Sequence, residues 1–442
     1  MSRICNVINA LEKGRAEYEK LMEHRDCPVF HVEEIYGKSR AAVEEEYDRR
    51  GIYNLNTLAS GDNLRYMEYL LKEKDMAGKI QLIYVDPPFF SNSRYQASVR
   101  LESDKLGRSP VIKTGAYDDR WDDSLEQYLT MLTVRFFVMR ELLSDSGCLW
   151  VHLDWHGSYY VKTLLDEIFG ESNFRNEVAW MYKSGGASKR SFAKKHDTLL
   201  FFSKTGEYKF NPLYEKSYNR DFKPYRFKGV EEFQDELGWY TMVHMKDVWQ
   251  IDMVGRTSAE RTGYATQKPE KLLDRIVESC SDAGDICADF FSGSGTLGAV
   301  AGRMNRRWIM CDEGDVATSA QIRRLCGGFE DEKEGFRLER EVSEVTNGAI
   351  SFSTEMGCLR IDDYKPDLVD LSPTDQSIAL EYIGDNGTSS VNFWSVDENY
   401  DGSVHRACQL VNGNDFCTLP ETSIHVVGYD VFGNRFTWGG KE

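Results

Sequence analysis

Apolar and polar positions along the chain follow two periods, and together they predict an open α/β sheet. Short apolar runs rich in β-branched and aromatic residues, such as Leu82–Val85 and 148–154, predict buried strands. Longer segments with apolar residues three and four positions apart predict helices, most clearly at 124–147, 158–170 and 268–281. Strands that alternate with helices indicate a doubly wound, mostly parallel sheet.

Three segments depart from this alternation. Residues 1–50 carry charged and apolar residues at helical spacing, so we expect a helical N-terminal extension. The α/β domain would then span 51–207 and 263–330, interrupted by an aromatic, basic insert at 208–262. From 340 to 442 the helical periodicity disappears, and short runs, among them 377–383, predict strands of an appended all-β, sandwich-like domain.

Length and composition narrow the class of protein. The 442 residues are 41% hydrophobic and 29% charged, a globular composition that fits two or three domains. No run approaches the ~20 apolar residues of a membrane span, and the N-terminus lacks the apolar core of a signal peptide. The ten cysteines form no C-x-x-C pair, which favours reduced thiols in a cytoplasmic protein.

The charge distribution changes what the net charge of −18 implies. A strongly acidic chain is at first a poor partner for nucleic acid. Between Arg175 and Lys228, however, there are thirteen Lys and Arg against five Asp and Glu, whereas from Arg340 to Glu442 there are six against seventeen. The basic block is a candidate phosphate-contacting surface, and a solvated surface of mixed charge is the alternative.

The segment 82–90, LIYVDPPFF, ends a buried strand with an acid, two prolines and two aromatic rings. Pro87 and Pro88 cannot continue the strand, because they lack the backbone donor and have a fixed φ. The strand therefore ends at Asp86, and ligands bind at the carboxyl ends of strands in an open α/β sheet. A strand-terminating acid followed by a turn is the structural alternative.

A second candidate site combines a strand, a glycine loop, a helix and a strand that ends in acids. Gly293, Gly295 and Gly298 fit G-x-G-x-x-G, and Asp312 lies nineteen residues after Gly293. Alone, this pattern predicts a site for an adenosine-bearing cofactor, and a nicotinamide or flavin dinucleotide is one candidate. Asp289 at the glycine turn would repel a pyrophosphate and suits the cationic methionine end of S-adenosylmethionine.

Taken together, these motifs resemble the amino-methyltransferases of DNA, in the permuted class in which D-P-P-[YF] precedes F-x-G-x-G. The likeness extends from about residue 53 to 320 and is carried by GDNL, LIYVDPPFF, AYDDRW, KHDTLLFFSK, TQKPEKLL and DFFSGSGT. The nearest likeness is to the modification subunits of type III restriction systems and to solitary adenine methyltransferases. Phe89 stands where many relatives carry Tyr, which keeps a stacking ring and loses a hydroxyl.

The resemblance implies a Rossmann-like methyltransferase fold, S-adenosylmethionine as cofactor and DNA as partner, with 208–262 as the target-recognition insert. The implied catalytic residues are Asp86, Pro87, Pro88 and Phe89. Asp86 and the Pro87 carbonyl would accept from the target amine, and Phe89 would stack on the flipped base. The implied cofactor-binding residues are Asp62, Lys268, Pro269, Asp289, Phe291, Ser292, Gly293, Gly295, Thr296 and Asp312.

Side chains near the insert complete the prediction. The implied DNA-binding residues are Lys183, Lys189, Arg190, Lys194 and Lys195. We expect a small satellite core, more than DNA stacking, from the aromatic residues Tyr218, Phe222, Tyr225 and Phe227. His152 and His156 flank Asp154, but no third ligand is in view and methyl transfer needs no metal, so we predict no metal site and interpret Asp154 as a helix N-cap.

Adenine-N6 methyl transfer is the leading hypothesis, because the acid of D-P-P is usual for adenine enzymes and a serine is commoner in cytosine enzymes. N4 methylation of cytosine is the close alternative. A dinucleotide-dependent oxidoreductase would explain the glycine loop but not D-P-P-F, and a silent DNA-binding subunit would not need Asp86. The resemblance also makes a restriction subunit and a second copy of the chain candidate partners.

Overall fold

The fold is described from a computed structural model, which describes residues 2–37, 40–91, 94–100, 111–121, 124–183, 189–255, 257–264, 266–327, 334–341, 349–369, 371–383, 387–413, 415–418 and 424–439. The helices are α1 (Arg3–Glu23), α2 (Arg40–Arg50), α3 (Asn63–Lys72), α4 (Leu125–Leu142), α5 (Ser158–Phe169), α6 (Glu270–Cys280), α7 (Thr296–Arg303), α8 (Asp315–Leu325) and α9 (Pro373–Ile383). None of these helices is long and apolar enough to cross a membrane.

The strands in the first half of the chain are β1 (His31–Tyr36), β2 (Asn56–Ser60), β3 (Ile80–Val85), β4 (Arg94–Arg100), β5 (Val111–Asp118), β6 (Leu143–Leu153), β7 (Phe174–Met181), β8 (His196–Ser203), β9 (Tyr214–Tyr218), β10 (Phe233–Gln234), β11 (Trp239–His244) and β12 (Val248–Gln250). Those in the second half are β13 (Ile286–Asp289), β14 (Arg307–Asp312), β15 (Phe336–Arg340), β16 (Ala349–Glu355), β17 (Cys358–Lys365), β18 (Val391–Asp397), β19 (His405–Arg406), β20 (Gln409–Asn412), β21 (Cys417–Thr418), β22 (His425–Asp430) and β23 (Arg435–Gly439).

One large sheet organises the protein, with the strand order β12-β7-β8-β6-β3-β13-β14-β2-β15-β1-β19 in the described residues. The six strands from β6 to β15 are all parallel. Toward the edges, β8 runs antiparallel to both of its neighbours and β1 runs antiparallel to β15. The predicted mostly parallel sheet is therefore confirmed.

Helices cover both faces of this sheet, as the sequence pattern predicts. In β3, Ile83 and Val85 join one buried apolar cluster with residues of α3, α4 and α5, whereas Leu82 and Tyr84 join another with residues of α6, α7 and α8. Successive side chains of a strand point to opposite faces, so both faces of β3 are buried. This burial on both faces explains why the strand is an unbroken apolar run.

The chain leaves the two central strands in opposite directions. From β3 it passes through α4 to β6 on one side, and from β13 it passes through α7 to β14 on the other. Such a reversal opens a crevice at the carboxyl ends of the two strands. Asp86 directly follows β3, and Asp289 is the last residue of β13, so the two motifs meet at this crevice.

Two expectations about the chain ends are wrong. Residues 1–50 are not only helical, because β1 enters the large sheet beside β15. The run 377–383 is not a strand but the end of α9. Its buried residues Ala379 and Ile383 lie four positions apart, a helical spacing that the β-branched composition of the run obscures. The C-terminal region is therefore not all-β.

The C-terminal strands are packed against the large sheet rather than simply appended to it. Trp394 and Val396 of β18 belong to an apolar cluster between the sheets β16-β17-β21 and β20-β18-β22-β23. On the opposite face of β18, Phe393 joins Tyr36 and Leu338 of the large sheet. Two strands from the last part of the chain, β15 and β19, are themselves members of the large sheet. Both regions therefore depend on one shared core.

A buried ion pair fastens the two regions together. The carboxylate of Glu34 in β1 is fully buried and accepts from Arg435 Nε of β23 at 2.7 Å and from the Tyr429 hydroxyl at 3.1 Å. Burial by itself would raise the pKa of Glu34, but Arg435 and Arg340 outweigh it and lower the pKa to about 2. Glu34 is therefore ionised at neutral pH.

We expect Glu34→Ala to lower the free energy of unfolding by about 3–5 kcal/mol, because the buried Arg435 would lose its hydrogen-bonded counter-charge and keep only Glu33, at 3.9 Å. Chemical denaturation followed by circular dichroism measures this change. Since the folded pKa lies below that of an unfolded glutamate, the contribution is present at neutral pH and is lost as the pH falls through about 2.

The matched control is Glu341→Ala, which removes the partner of the half-exposed Arg65 and should cost less than about 1 kcal/mol. Equal losses in the two variants would contradict the structural role of the buried pair.

Candidate active site

A cavity of about 240 Å³ opens at the carboxyl ends of β3 and β13. It is lined by Gly61, Asp62, Asn63, Tyr84, Asp86, Pro88, Trp121, Met131, Arg135, Tyr264, Thr266, Lys268, Asp289, Phe290, Phe291, Ser292, Gly293, Ser294, Thr296, Asp312 and Glu313. These residues come from both motifs, from the segments before α3, α6 and α8, and from α4 and the segment before it. The cavity therefore joins the acid of LIYVDPPFF to the glycine loop.

Asp86 presents one occupied and one unoccupied carboxylate oxygen. The ammonium of Lys268 contacts Oδ2, whereas Oδ1 is buried and has no hydrogen-bond partner in the described part of the chain. His152 Nδ1 lies 3.8 Å from Oδ1, too far for a hydrogen bond. Leaving a buried acceptor unpaired is costly, so Oδ1 is prepared to accept from a ligand.

A buried histidine network lies behind Asp86. His152 Nδ1 is 3.0 Å from the Tyr84 hydroxyl, and Nε2 is 3.2 Å from Asp197 Oδ2. Burial by itself would raise the pKa of Asp197, but hydrogen bonds from His152 and Tyr182 and the charge of Lys268 lower it. Asp197 is thus ionised and accepts a hydrogen bond from Nε2 of His152. The sequence gives no signal that predicts this network, because its members come from three strands.

The turn after Asp86 is held by hydrogen bonds. The Pro88 carbonyl accepts from the Tyr128 hydroxyl at 2.8 Å. Phe90 adopts a left-handed φ of 62°, and its amide donates to the buried carboxylate of Asp119 at 3.1 Å. Phe89 lies beside the cavity, with its ring centroid 5.7 Å from that of His152. The turn therefore fixes an aromatic ring next to Asp86.

The glycine loop brings backbone close to the cavity. Gly293 and Gly295 have φ values of 48° and 72°, which residues with a side chain rarely adopt. The amide of Gly293 donates to Asp312 Oδ2 at 2.8 Å. A side-chain carbon at Gly293 would stand 3.2 Å from the ring of Tyr264, a tight contact that adds to the conformational preference for glycine.

Carboxylates dominate the electrostatics of the cavity. Burial raises the pKa of Asp289 well above its usual range, and repulsion from Asp86 and Asp312 adds to the shift, against the opposing Phe291 amide. Burial also raises the pKa of Asp312 to about 6, although the amides of Gly293 and Gly314 oppose it. Acids crowded in this way are stabilised by a cation, so the cavity suits a positively charged ligand.

Most of the predicted catalytic and cofactor-binding residues line the cavity, and four of them do not. Pro87, Phe89, Pro269 and Gly295 are absent from its wall. Pro269 is instead the residue that precedes α6, and a side-chain carbon at Gly295 would stand 2.9 Å from Gln321. Lys268 does line the cavity, but its ammonium contacts Asp86.

Asp62 carries contacts that its sequence context only partly predicts. It caps α3 by accepting from the Arg65 amide at 2.9 Å, and it pairs with Arg135 of α4 at 3.0 Å. Arg135 also donates to Asn63 Oδ1 at 2.6 Å. Sequence reasoning missed Arg135, because within α4 it appears as one polar residue of an amphipathic helix.

The predicted DNA contacts lie outside the cavity, on the connection between β7 and β8. Lys183, Lys189, Arg190, Lys194 and Lys195 flank positions 184–188, which are outside the described residues. The insert contains the small sheet β10-β11-β9. Within it, Phe222, Tyr225 and Phe227 are 53%, 43% and 62% exposed, so the expected satellite core is wrong for these three residues.

The HLDWH segment also differs from its prediction. Gly157, and not Asp154, precedes α5 as its N-cap. Asp154 instead binds His156, through the backbone amide at 2.8 Å and through Nδ1 at 2.7 Å. No group of three or more His, Cys, Asp or Glu that could hold a metal ion occurs among the described residues.

Comparison with protein families decides the class of protein. The sequence profile of the DNA methylases that act on N6 or N4 amines matches residues 80–320, more than half of the chain. The chain belongs to this DNA methylase family. Like the family, it uses S-adenosylmethionine as methyl donor and DNA as substrate. Membership leaves the oxidoreductase alternative without support.

Several individual DNA methylases are similar to this chain. The Type II methyltransferase M.EcaI of Enterobacter cloacae is 27% identical over 71% of this chain and 77% of its own length. The Type II methyltransferase M.BglII of Bacillus subtilis is 31% identical over 41% of this chain and 52% of its own. The solved PvuII DNA methyltransferase (cytosine-N4-specific) has a TM-score of 0.41 and 18% identity, covering 61% of this chain and 86% of that one.

We expect Gly293→Val to weaken S-adenosylmethionine binding at least tenfold in calorimetry, because the new side chain would meet Tyr264 and strain a positive φ. Gly284→Val is the matched control, since Gly284 also has a positive φ but no neighbour within 4 Å and lies before β13, at the opposite end of that strand. Equal affinities for the two variants would remove the glycine loop from the cofactor site.

Proposed function

We propose that this DNA methylase transfers the methyl group of S-adenosylmethionine to the exocyclic N6 amine of adenine in duplex DNA. The observation that supports the proposal most strongly is Asp86 Oδ1, a buried acceptor without a hydrogen-bond partner in the described residues and at the wall of the cavity. An amine N–H supplies the donor that this oxygen lacks. The acid itself favours adenine, because a serine is commoner at this position in cytosine enzymes.

The chemistry explains why such an acceptor is needed. The lone pair of an exocyclic amine is delocalised into the ring, so the free amine is a poor nucleophile. Hydrogen bonds from both N–H groups to Asp86 Oδ1 and the Pro87 carbonyl would localise the lone pair and direct it toward the methyl group. The neighbouring Pro88 carbonyl is engaged by Tyr128. The methylated cationic amine is acidic, so Asp86 need not be a strong base.

Lys268 has a role in this proposal that differs from the one the resemblance implies. Its ammonium holds Asp86 Oδ2, which turns Oδ1 away from the lysine. Its carbonyl accepts from Thr296 Oγ1 of α7 at 3.1 Å. We therefore assign Lys268 to orienting Asp86, in addition to any contact with the methionine carboxylate.

The target base has to leave the DNA stack to reach Asp86, at a cost of a few kcal/mol. Phe89 is the proposed stacking partner for the extruded base, because its ring is fixed beside the cavity by the turn and by His152. Phe90 packs against Tyr128, with ring centroids 5.2 Å apart, and supports that turn.

The side chains and backbone of the cavity suit the groups of the cofactor. Asp289 and Asp312 offer buried carboxylates to the cationic methionine end and to the ribose hydroxyls, and the glycine loop permits close approach of the ligand. Asp62, already a cap of α3, would bind the adenine amine of the cofactor. When bound, S-adenosylmethionine supplies the methyl group on its sulfonium.

We expect Asp86→Ala to lower the single-turnover rate of methyl transfer at least a hundredfold, because it removes the acceptor from the target amine. S-adenosylmethionine affinity, measured by calorimetry, should change far less. Asp282→Ala is the matched control, since Asp282 also pairs with a lysine, Lys209, but lies outside the cavity. Appreciable turnover by Asp86→Ala would refute the catalytic assignment.

Digestion of the methylated DNA and mass spectrometry should show N6-methyladenine, whereas N4-methylcytosine would overturn the choice of base.

The basic block is the proposed DNA surface. Five of its cations, the predicted DNA-binding residues, lie on the connection between β7 and β8, and β8 is two strands from β3 in the sheet. Phosphate contacts there would position the duplex without reading its sequence, and the insert 208–262 would read base edges.

We also propose that the protein is of the permuted class, as the order of its motifs suggests. It would act in restriction–modification, where a restriction subunit or a second copy of the chain would be its partner.

We expect duplex binding to weaken with salt, each phosphate contact adding about −0.9 to the slope of log affinity against log salt. Joint replacement of Lys189, Arg190, Lys194 and Lys195 by Gln should flatten the slope and weaken all sequences alike. Fluorescence anisotropy over a salt series measures both. An unchanged slope would place DNA on another face.

A further inference from the structure

We propose that Trp155 is a DNA-stacking residue at the rim of the target-base site, and that Lys194 covers its ring until DNA binds. This inference rests on the proposed base-flipping function. The partner is a nucleobase that has left its stack, and the released lysine ammonium would bind a backbone phosphate. Three features of the structure support this assignment, namely the position of Trp155, the way it is held and the cation over its ring.

The position follows from the pairing of β3 with β6. These strands are parallel neighbours, with Val85 opposite Val151, so the turns that follow them lie side by side. A side-chain carbon at Gly157 would stand 3.5 Å from the Phe89 carbonyl. Trp155 lies two residues before Gly157, in the turn next to the backbone of Phe89, whose ring is the proposed stacking partner of the target base.

Trp155 is exposed, but contacts with its neighbours hold its side chain in place. Its side chain is 49% exposed, and its ring centroid lies 3.7 Å from that of His156. His156 is in turn fixed by two hydrogen bonds to Asp154, at 2.7 and 2.8 Å. An aromatic side chain that is already ordered loses little conformational freedom when it stacks on a ligand. Asp154 and His156 thus hold the ring in place for a partner.

In the free protein the ammonium of a lysine covers the ring of Trp155. Lys194 Nζ lies 3.3 Å from the ring centroid of Trp155, and Lys194 belongs to the basic block. Stacking of a base on an aromatic ring is stronger than a cation–π contact in water. The ammonium loses little by leaving, because a phosphate can receive it. Exchange of the lysine for a base is therefore favourable once DNA is bound.

Isolated exposed aromatic residues are common on protein surfaces and need no function. Trp155 differs because other aromatic residues close to the pair in the chain are also exposed. Tyr159, four residues after Trp155, is 72% exposed, and Phe192, two residues before Lys194, is 99% exposed. Aromatic rings interleaved with cations are typical of surfaces that bind unstacked nucleic acid.

A mixed-sequence 20-nucleotide single strand tests the proposal without knowledge of the recognition sequence, because its bases are already accessible. In fluorescence anisotropy we expect Trp155→Ala to weaken binding of this strand about tenfold with an unchanged salt slope, and to weaken binding of the same sequence as a duplex much less. Trp155→Phe should restore most of the affinity. Lys194→Gln should make the single-strand slope shallower by about 0.7, the value of one phosphate contact.

Phe416 provides the matched control, because it is also exposed, at 57%, and has a cation, Arg360, 5.8 Å from its ring in the C-terminal region. Phe416→Ala should leave binding unchanged. Unaltered single-strand binding by Trp155→Ala, or equal losses for single strand and duplex, would overturn the proposal. Either result would leave the Asp86 experiment standing, since that experiment measures methyl transfer.

Discussion

The parallel pairing of β3 with β13 is the constraint on which the site depends. Leu82 and Ile83 lie opposite Cys287 and Ala288, although about two hundred residues separate them in the chain. This pairing places the end of one motif, Asp86, against the end of the other. Because the chain turns away from the two strands in opposite directions, the crevice between them stays open. Any change of register would move both motifs out of alignment.

The site crowds together more carboxyl groups than a stable core would contain. Asp86, Asp289 and Asp312 share one cavity with Lys268 as the cation that touches Asp86. An unpaired buried acceptor and crowded acids both oppose folding. Such local conflicts are expected where a ligand completes the structure. The cationic cofactor and the target amine are the groups that would relieve them, which connects the cost in stability with the proposed chemistry.

Local pattern could predict the α/β alternation and both strand ends, because buried parallel strands and helix faces leave periodic signals. It could not predict α9. The buried residues of this helix pack against Ile112 of β5 and Phe432, and these contacts between distant parts of the chain are not visible in the local pattern. Nor could it find Arg135, His152 or Asp197, since each gains its role from residues in other strands or helices. The exposure of the Phe222 and Phe227 rings could not be predicted either, because composition alone does not distinguish residues of a small core from residues of a surface.

The central claim is that Asp86 Oδ1 receives the amine of an extruded adenine. A crystal structure of the protein with a duplex that it methylates and a cofactor analogue lacking a transferable methyl group tests this most directly. We predict an adenine outside the stack, with its exocyclic nitrogen about 2.6–3.2 Å from Oδ1 and its ring against Phe89. A target base held elsewhere, with Oδ1 still unpaired, would contradict the claim.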